Sequence, residues 1–190
     1  MGLLKRSRGM SVKELASALK MSYMGVKQHC DALKKNGYLD TWRRPKGTGR
    51  PEKIYRAAPK LDEVLPCWSN ELSLGLLAQM AHSYGEAMPD RLLYGFLQQK
   101  VEGWGARIKG VTIKDRLQEL VKHRNLDGWM SDFCDDELGV RIVDHHSPLN
   151  GVAKLYPNVW DLESRVLSTF LGCPVERKID GTRMEFCLTL

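Results

Sequence analysis

Two short stretches of helical periodicity followed by a strand-turn-strand pattern occupy the start of the chain, and this order constrains its fold more than any other feature. Apolar residues recur at helical spacing from Val12 to Leu19. Ser11 and Glu14 fit a capping box, in which the hydroxyl accepts a backbone N–H and the carboxylate reaches back to the cap. We therefore predict a short helix over residues 11–19.

A second helix is predicted directly after the first. The apolar pattern breaks at Lys20-Met21, and Ser22 then provides a new N-cap. The predicted inward-facing positions are Val26, His29 or Cys30, and Leu33. The helix is expected to end at Asn36-Gly37, because glycine favours the backbone conformation that closes a helix. Two short helices joined by a tight turn make a helix-turn-helix unit.

A basic hairpin is predicted after the two helices. Residues 38–44 have the composition of a strand, and Lys53–Arg56 has that of the returning strand. Between them, residues 45–51 form a turn rich in glycine and proline. Helix, turn, helix and hairpin follow one another in the order of a winged helix, so the sequence predicts an N-terminal winged helix-turn-helix domain over residues 1–58.

Charge is distributed unevenly along the chain. Residues 1–60 contain 15 basic and 4 acidic side chains, a net charge of +11, whereas residues 61–190 contain 14 basic and 19 acidic side chains, a net charge of −5. A basic module beside an acidic one indicates a head that binds a polyanion such as double-stranded DNA. No apolar run reaches the roughly 18 residues of a membrane helix, so we expect a cytoplasmic protein without membrane contact.

DNA contacts are predicted at two places in the basic module. At the start of the second helix, the residues expected to enter the major groove are Ser22, Tyr23, Met24, Lys27 and Gln28. There Gln28 is suited to read adenine, and Lys27 to read guanine or hold a phosphate. The hairpin residues expected on the DNA backbone or in the minor groove are Arg43, Arg44, Lys46, Arg50 and Lys53. A winged helix that contacts RNA or protein is the alternative.

The remainder of the chain, residues 59–190, is predicted to form an α+β sensing or dimerisation domain. Helices are expected over residues 70–83, 89–108 and 112–125, and helical turns over 147–170. Strands are expected over residues 128–134, 139–145, 173–179 and 183–190, which would form an antiparallel sheet of about four strands. The leucine-rich first helix fits a homodimer seam and equally an ordinary core helix, and two-fold dimers are common among operator-binding proteins.

Catalytic motifs are missing from the sequence. It contains no phosphate loop, no nucleophile elbow and no His-Glu-x-x-His, so we do not expect an enzyme. The five cysteines are odd in number and include no Cys-x-x-Cys, which indicates reduced thiols rather than a disulfide framework or a zinc ribbon.

The basic module has distinctive segments at Leu15-Ala16, Lys27-Gln28-His29, residues 33–38 and, above all, Gly49 to Arg56. On these segments it resembles the bacterial winged-helix regulators of the broad ArsR/DeoR-like group. In that group a first helix precedes the turn unit, and its end corresponds to residues 2–6 here.

The tail of the chain has distinctive segments at residues 144–149, 152–157 and 171–177, together with Trp160, Glu163 and Cys187. On these segments it resembles the C-terminal domain of iron-sulphur-sensing repressors of the SufR type. The resemblance implies four cysteine positions that hold an iron-sulphur cluster, because thiolates are soft donors suited to iron. Here Ser147 and Trp160 stand at the first two of these positions, and Cys173 and Cys187 at the other two.

The sequence is compatible with three different states of the tail site. A degenerate site without cofactor is expected first, with both cysteines buried or redox-responsive. A cluster or metal would use Cys173 and Cys187 with His145 or His146, and Cys134 is an optional further ligand. Adjacent histidines on one strand point to opposite faces, so only one of the pair would face the cysteines. A small effector bound by aromatic side chains is the third state, and its candidates are Trp104, Trp129 and Trp160.

The sequence as a whole predicts a dimeric DNA-binding repressor whose operator binding is modulated through its C-terminal domain. The alternative is a metal, iron-sulphur or redox-sensing protein whose basic head binds nucleic acid or a partner without specificity.

Overall fold

The chain folds into two compact units, Met1–Leu65 and Pro66–Leu190. A computed structural model describes residues 1–45, 51–65, 71–180 and 183–189. The first unit extends beyond residue 58 because a 3-10 helix, Pro59–Val64, follows the hairpin and buries Leu61. Lys5 Nζ also binds Asp62 Oδ1 at 2.5 Å within this unit.

The first unit contains three helices and a small antiparallel sheet. Its elements are α1 (Gly2–Arg6), β1 (Met10–Ser11), α2 (Val12–Leu19), α3 (Tyr23–Lys35), β2 (Leu39–Arg44) and β3 (Glu52–Ala57), and the strand order is β1-β3-β2. The predicted capping box is confirmed, since Ser11 Oγ accepts the Glu14 N–H and the Glu14 carboxylate accepts the Ser11 N–H. Ser22 caps α3 by accepting the N–H of Gly25.

The core of the first unit shows which of His29 and Cys30 faces inward on α3. Val26 and Cys30 are buried, whereas His29 is exposed, so Cys30 occupies the inward position. The other buried apolar residues of this core are Leu4, Val12, Leu15, Leu39 and Tyr55. Helix packing against the sheet therefore fixes which side of α3 points outward.

In the described residues of the second unit, five helices accompany a four-stranded antiparallel sheet. Its elements are α4 (Glu71–Tyr84), α5 (Met88–Gly105), α6 (Ile113–Leu126), β4 (Met130–Asp136), β5 (Gly139–His146), α7 (Asn150–Ala153), α8 (Val159–Leu171), β6 (Val175–Asp180) and β7 (Arg183–Leu188). The strand order is β4-β5-β7-β6, and every pairing is antiparallel. The α+β class and the four-stranded sheet are confirmed. No helix of the described ranges is long and apolar enough to span a membrane.

A buried ionic network joins the helices of the second unit to its sheet. Arg124 on α6 donates to Glu163 Oε1 on α8 at 2.9 Å and to Asp144 on β5. Its Nε donates to Ser131 Oγ on β4, and its guanidinium lies 4.8 Å from the centre of the Trp129 ring. The side chains of Arg124, Asp144 and Glu163 are at most 3% exposed. One cation therefore serves two carboxylates inside the core.

The two buried carboxyl groups hold their protons more tightly than exposed ones do. Burial raises the pKa of Glu163 to about 7, although the nearby Arg124 opposes the rise. Burial also raises the pKa of Asp144, again against the attraction of Arg124. The cost of burying two negative charges beside one positive charge is thus met in part by proton uptake.

The free energy of unfolding should fall as pH rises through about 7. Because the pKa of Glu163 is about 7 in the folded state and near 4.5 unfolded, the folded state binds more protons between these values. Stability therefore falls progressively across this range, and the contribution is gone once the pH exceeds about 7. The contribution is on the order of 3 kcal/mol. Urea titrations from pH 5 to 8 should show a flatter profile for Glu163→Gln. Glu119→Gln, an exposed change on α6, should keep the wild-type slope.

Candidate nucleic-acid interface

The outward side of α3 carries a polar and aromatic patch at its N-terminal end. Val26 and Cys30 face the core, so residues at other helical angles point away from it. The patch consists of Tyr23, Met24, Lys27 and Gln28, all exposed. Tyr23 is 54% and Met24 59% exposed, although both are large side chains with apolar surface. Apolar and hydrogen-bonding groups thus stand together on one accessible face.

Three predicted contact residues are engaged within the protein instead. Ser22 Oγ caps α3 at 3.2 Å from the Gly25 nitrogen. Arg44 binds Glu14 on α2 at 2.8 Å and Glu52 on β3 at 2.9 Å. Hydrogen bonds from Arg44 and from the Ser11 backbone lower the pKa of Glu14. Arg44 therefore joins the hairpin to α2, and two carboxylates oppose its charge.

Lys53 belongs to a second internal network, which joins the hairpin to α3. Its Nζ donates to the Tyr55 hydroxyl at 2.6 Å and lies 3.4 Å from Asp31 Oδ1. The Tyr55 hydroxyl in turn donates to Asp31 at 2.6 Å. This hydrogen bond is the main reason that the pKa of Asp31 lies below its usual value. The network sets where α3 lies against β3.

Arg43 is the hairpin residue that remains available for an outside partner. Its side chain is exposed, it pairs in register with Lys53, and it makes no ion pair with any residue of the described ranges. The predicted contacts Lys46 and Arg50 lie outside the described residues. Sequence reasoning missed Asp31 and Tyr55, and the signal for Tyr55 was its place two residues after Lys53 on the same strand face.

The four predicted metal ligands of the second unit are not brought together. His145 Nε2 lies 3.0 Å from Asp132 Oδ2, and His146 Nδ1 lies 3.5 Å from the Asn150 amide. Within the part of the chain that the structure describes, no group of three or more His, Cys, Asp or Glu side chains could hold a metal ion.

Strand register separates Cys187 from the histidines that the cluster alternative would use. Cys187 lies opposite Arg141 on β5, four residues from His145, so roughly 13 Å of strand separates the two along the sheet. Burial raises the pKa of Cys187 and of Cys173, which disfavours the thiolate form that ligates iron. Within the described ranges, the arrangement of the candidate ligands does not fit an iron-sulphur cluster.

The other candidates in this unit are accounted for by packing and spacing. Arg141 on β5 lies between Cys134 on β4 and Cys187 on β7. Two strand spacings, about 10 Å, therefore separate the two cysteines. That distance exceeds what a disulfide can span. Trp104 and Trp129 are buried edge to face in the core, and Trp104 Nε1 donates to Asp127 at 3.0 Å. Trp160 is half-buried against the same core.

The exposed patch on α3, together with Arg43, is thus the most developed candidate site. Both lie in the first unit, whose first sixty residues carry a net charge of +11. Comparisons of the chain with protein-family models, with curated proteins and with solved structures find no match.

Tyr55→Phe should loosen the attachment of α3 to β3. Removing the hydroxyl eliminates the hydrogen bond to Asp31, so the pKa of Asp31 should rise toward its ordinary value, and the unfolding free energy should fall by about 0.5–1.5 kcal/mol. Carboxyl NMR titration and urea unfolding measure the two effects. Tyr38→Phe is the matched control, because the Tyr38 hydroxyl makes no hydrogen bond in the described ranges. An unchanged Asp31 pKa would contradict the proposed link.

Proposed function

We propose that this protein is a DNA-binding transcriptional regulator whose first unit is a winged helix-turn-helix. The observation that carries the proposal is the exposed patch of Tyr23, Met24, Lys27 and Gln28 at the N-terminal end of α3. Recognition helices of this type present such residues to base edges in the major groove. The surrounding net charge of +11 favours a polyanionic partner.

Each side chain of the patch has a distinct task in this proposal. The Gln28 amide can donate to and accept from adenine, whereas Lys27 can bind a guanine edge or a phosphate. Met24 and Tyr23 offer apolar surface to thymine methyl groups or sugars. Arg43 on the hairpin, which is the wing, would hold the phosphate backbone and so fix the register of α3.

The internal networks support the same function indirectly. Arg44 joins the wing to α2, and the Lys53–Tyr55–Asp31 network joins it to α3. A recognition helix needs this kind of fixed placement, because specificity requires base contacts within hydrogen-bond geometry. Arg44 and Lys53 are therefore assigned to positioning the interface rather than to contacting DNA.

Dimerisation is proposed through α4. Leu72 to Tyr84 contain no Asp, Glu, Lys or Arg, and none of the residues of α4 is buried. Leu72 is 71% and Leu76 58% exposed, one helical turn apart on the same side. Apolar surface of this kind, free of charge, is typical of homodimer interfaces. Two copies would then read two half-sites.

The family assignment that accompanies this proposal is the ArsR/DeoR-like group with a SufR-type tail that works without a cluster. The second unit would modulate operator binding, and the regulator would act as a repressor. Its core network and its α4 surface are the features through which dimer geometry would be set.

Gln28→Ala should weaken binding to the preferred operator while leaving binding to random DNA nearly unchanged. The operator is first selected from a random-sequence duplex library with the full chain. Loss of one bidentate base contact should then cost about 1–3 kcal/mol on that sequence, measured by fluorescence anisotropy. Gln118→Ala, an exposed glutamine on α6, is the matched control and should bind as the wild type does.

Arg43→Ala provides the contrast for that experiment. Loss of a phosphate contact should weaken binding to all sequences alike. It should also make the slope of log binding constant against log salt concentration shallower by about 1. Equal losses on operator and random DNA for Gln28→Ala would contradict its base-reading role. Failure of the library to yield any preferred sequence would contradict the proposed function itself.

Leu76→Glu should convert the proposed dimer to a monomer. Leu76 is already exposed within one copy, so the folded monomer can accept the charge, whereas two buried glutamates in a dimer seam would be strongly unfavourable. Sedimentation velocity measures the change. Leu126→Glu, at the 80% exposed last residue of α6, is the control and should remain dimeric. A dimer that persists in Leu76→Glu would place the interface elsewhere.

A further inference from the structure

An apolar cavity of about 570 Å³ lies among α1, α2 and α3 in the first unit. Its floor is formed by side chains that are at most 5% exposed: Leu4, Leu15, Val26 and Cys30. Leu3, Leu19 and Met21 line it as well and are among the exposed large apolar residues of the chain. Ligand pockets typically enclose about 300–1,000 Å³, so this cavity has the size of a small-molecule site.

Two polar side chains of the cavity lining belong to one helix. His29 and Asn36 of α3 line the cavity, about 10 Å apart along the helix axis. Neither side chain makes a hydrogen bond with the residues that the structure describes. Both are exposed, which places hydrogen-bonding groups where a bound molecule would meet solvent. A ligand with an apolar body and one polar end matches this arrangement.

The charge around the cavity determines which polar head group a ligand should carry. No Asp or Glu is among the lining residues, and the first sixty residues carry a net charge of +11. The potential at the mouth therefore favours an anion over a cation. We propose that this cavity binds a small amphipathic anion, of the class of medium-chain carboxylic acids, with its chain on the apolar floor and its head near His29 or Asn36.

The dimensions of the cavity favour a small molecule over a helix from a second copy. A helix with its side chains is about 10–12 Å wide and rises 5.4 Å per turn, so about 570 Å³ holds roughly one turn. Stable protein interfaces need about 800 Å² from each partner, which one turn does not supply. The proposal does not rest on DNA binding, because it concerns the side of α3 away from Tyr23 and Lys27.

Ala32→Trp tests the site without replacing a core residue. Ala32 lines the cavity but is exposed, so an indole there would fill the mouth and leave the floor intact. The full chain is titrated with 1-anilinonaphthalene-8-sulfonate, an apolar anion whose fluorescence rises on burial, and the bound probe is then displaced with sodium decanoate below its micelle concentration. We expect Ala32→Trp to weaken probe binding by about tenfold or more, equivalent to at least about 1.4 kcal/mol.

Two matched controls distinguish probe binding in the cavity from nonspecific binding elsewhere on the protein. Ala18→Trp places the same indole on exposed α2 outside the lining and should bind the probe as the wild type does. Decyltrimethylammonium, with the same chain and a cationic head, should displace the probe far less than decanoate does. Circular dichroism confirms that both variants are folded.

Three results would overturn the proposal. Equal probe binding by Ala32→Trp and wild type would show that the probe binds elsewhere. Equal displacement by decanoate and decyltrimethylammonium would remove the anionic specificity. A change in sedimentation coefficient caused by Ala32→Trp but not by Ala18→Trp would identify a second copy of the chain as the occupant.

Discussion

The fold of the second unit depends on the charge balance around Arg124. This side chain lies where α6, α8, β4 and β5 meet, and its donors are shared among Glu163, Asp144 and Ser131. Removing the cation would leave two carboxylates buried without a counter-ion, which is among the costliest single changes in a core. Directional hydrogen bonds from one guanidinium connect α6 to α8 and to β5.

The first unit uses charge in a different way, with ion pairs at its surface that determine which cations remain for a partner. Arg44 and Lys53 are neutralised by Glu14, Glu52 and Asp31, whereas Arg43 is not engaged by any described residue. Exposed ion pairs contribute little stability. Their effect here is to orient the hairpin and α3, so the described basic residues of the hairpin divide between ion-paired positions and the proposed contact Arg43. The sequence composition alone does not distinguish Arg43 from Arg44 and Lys53.

Local patterns in the sequence were sufficient to predict most of the elements. Some features depend only on neighbours a few residues away, so they can be recognised in the sequence. These are the capping box at Ser11, the cap at Ser22 and the alternation in β4 to β7. The Arg124 network and the separation of Cys187 from His145 depend on strand register and on helix rotation. No periodicity in the chain encodes that register. For this reason the distance between the candidate ligands Cys187 and His145 could not be predicted from the sequence.

The helical period of α3 places the two proposed binding surfaces next to each other on one element. Tyr23 and Lys27 lie on one side and His29 and Asn36 line the cavity on another, whereas Gln28 lies one turn from the cavity residue Ala32. If both proposals hold, a ligand in the cavity contacts the same helix that meets DNA. It can shift DNA affinity only by the difference in its own affinity for the two placements of α3. The Lys53–Tyr55–Asp31 network, which fastens α3 to β3, sets how far those placements can differ. The stiffness of that attachment thus limits the coupling between the two surfaces.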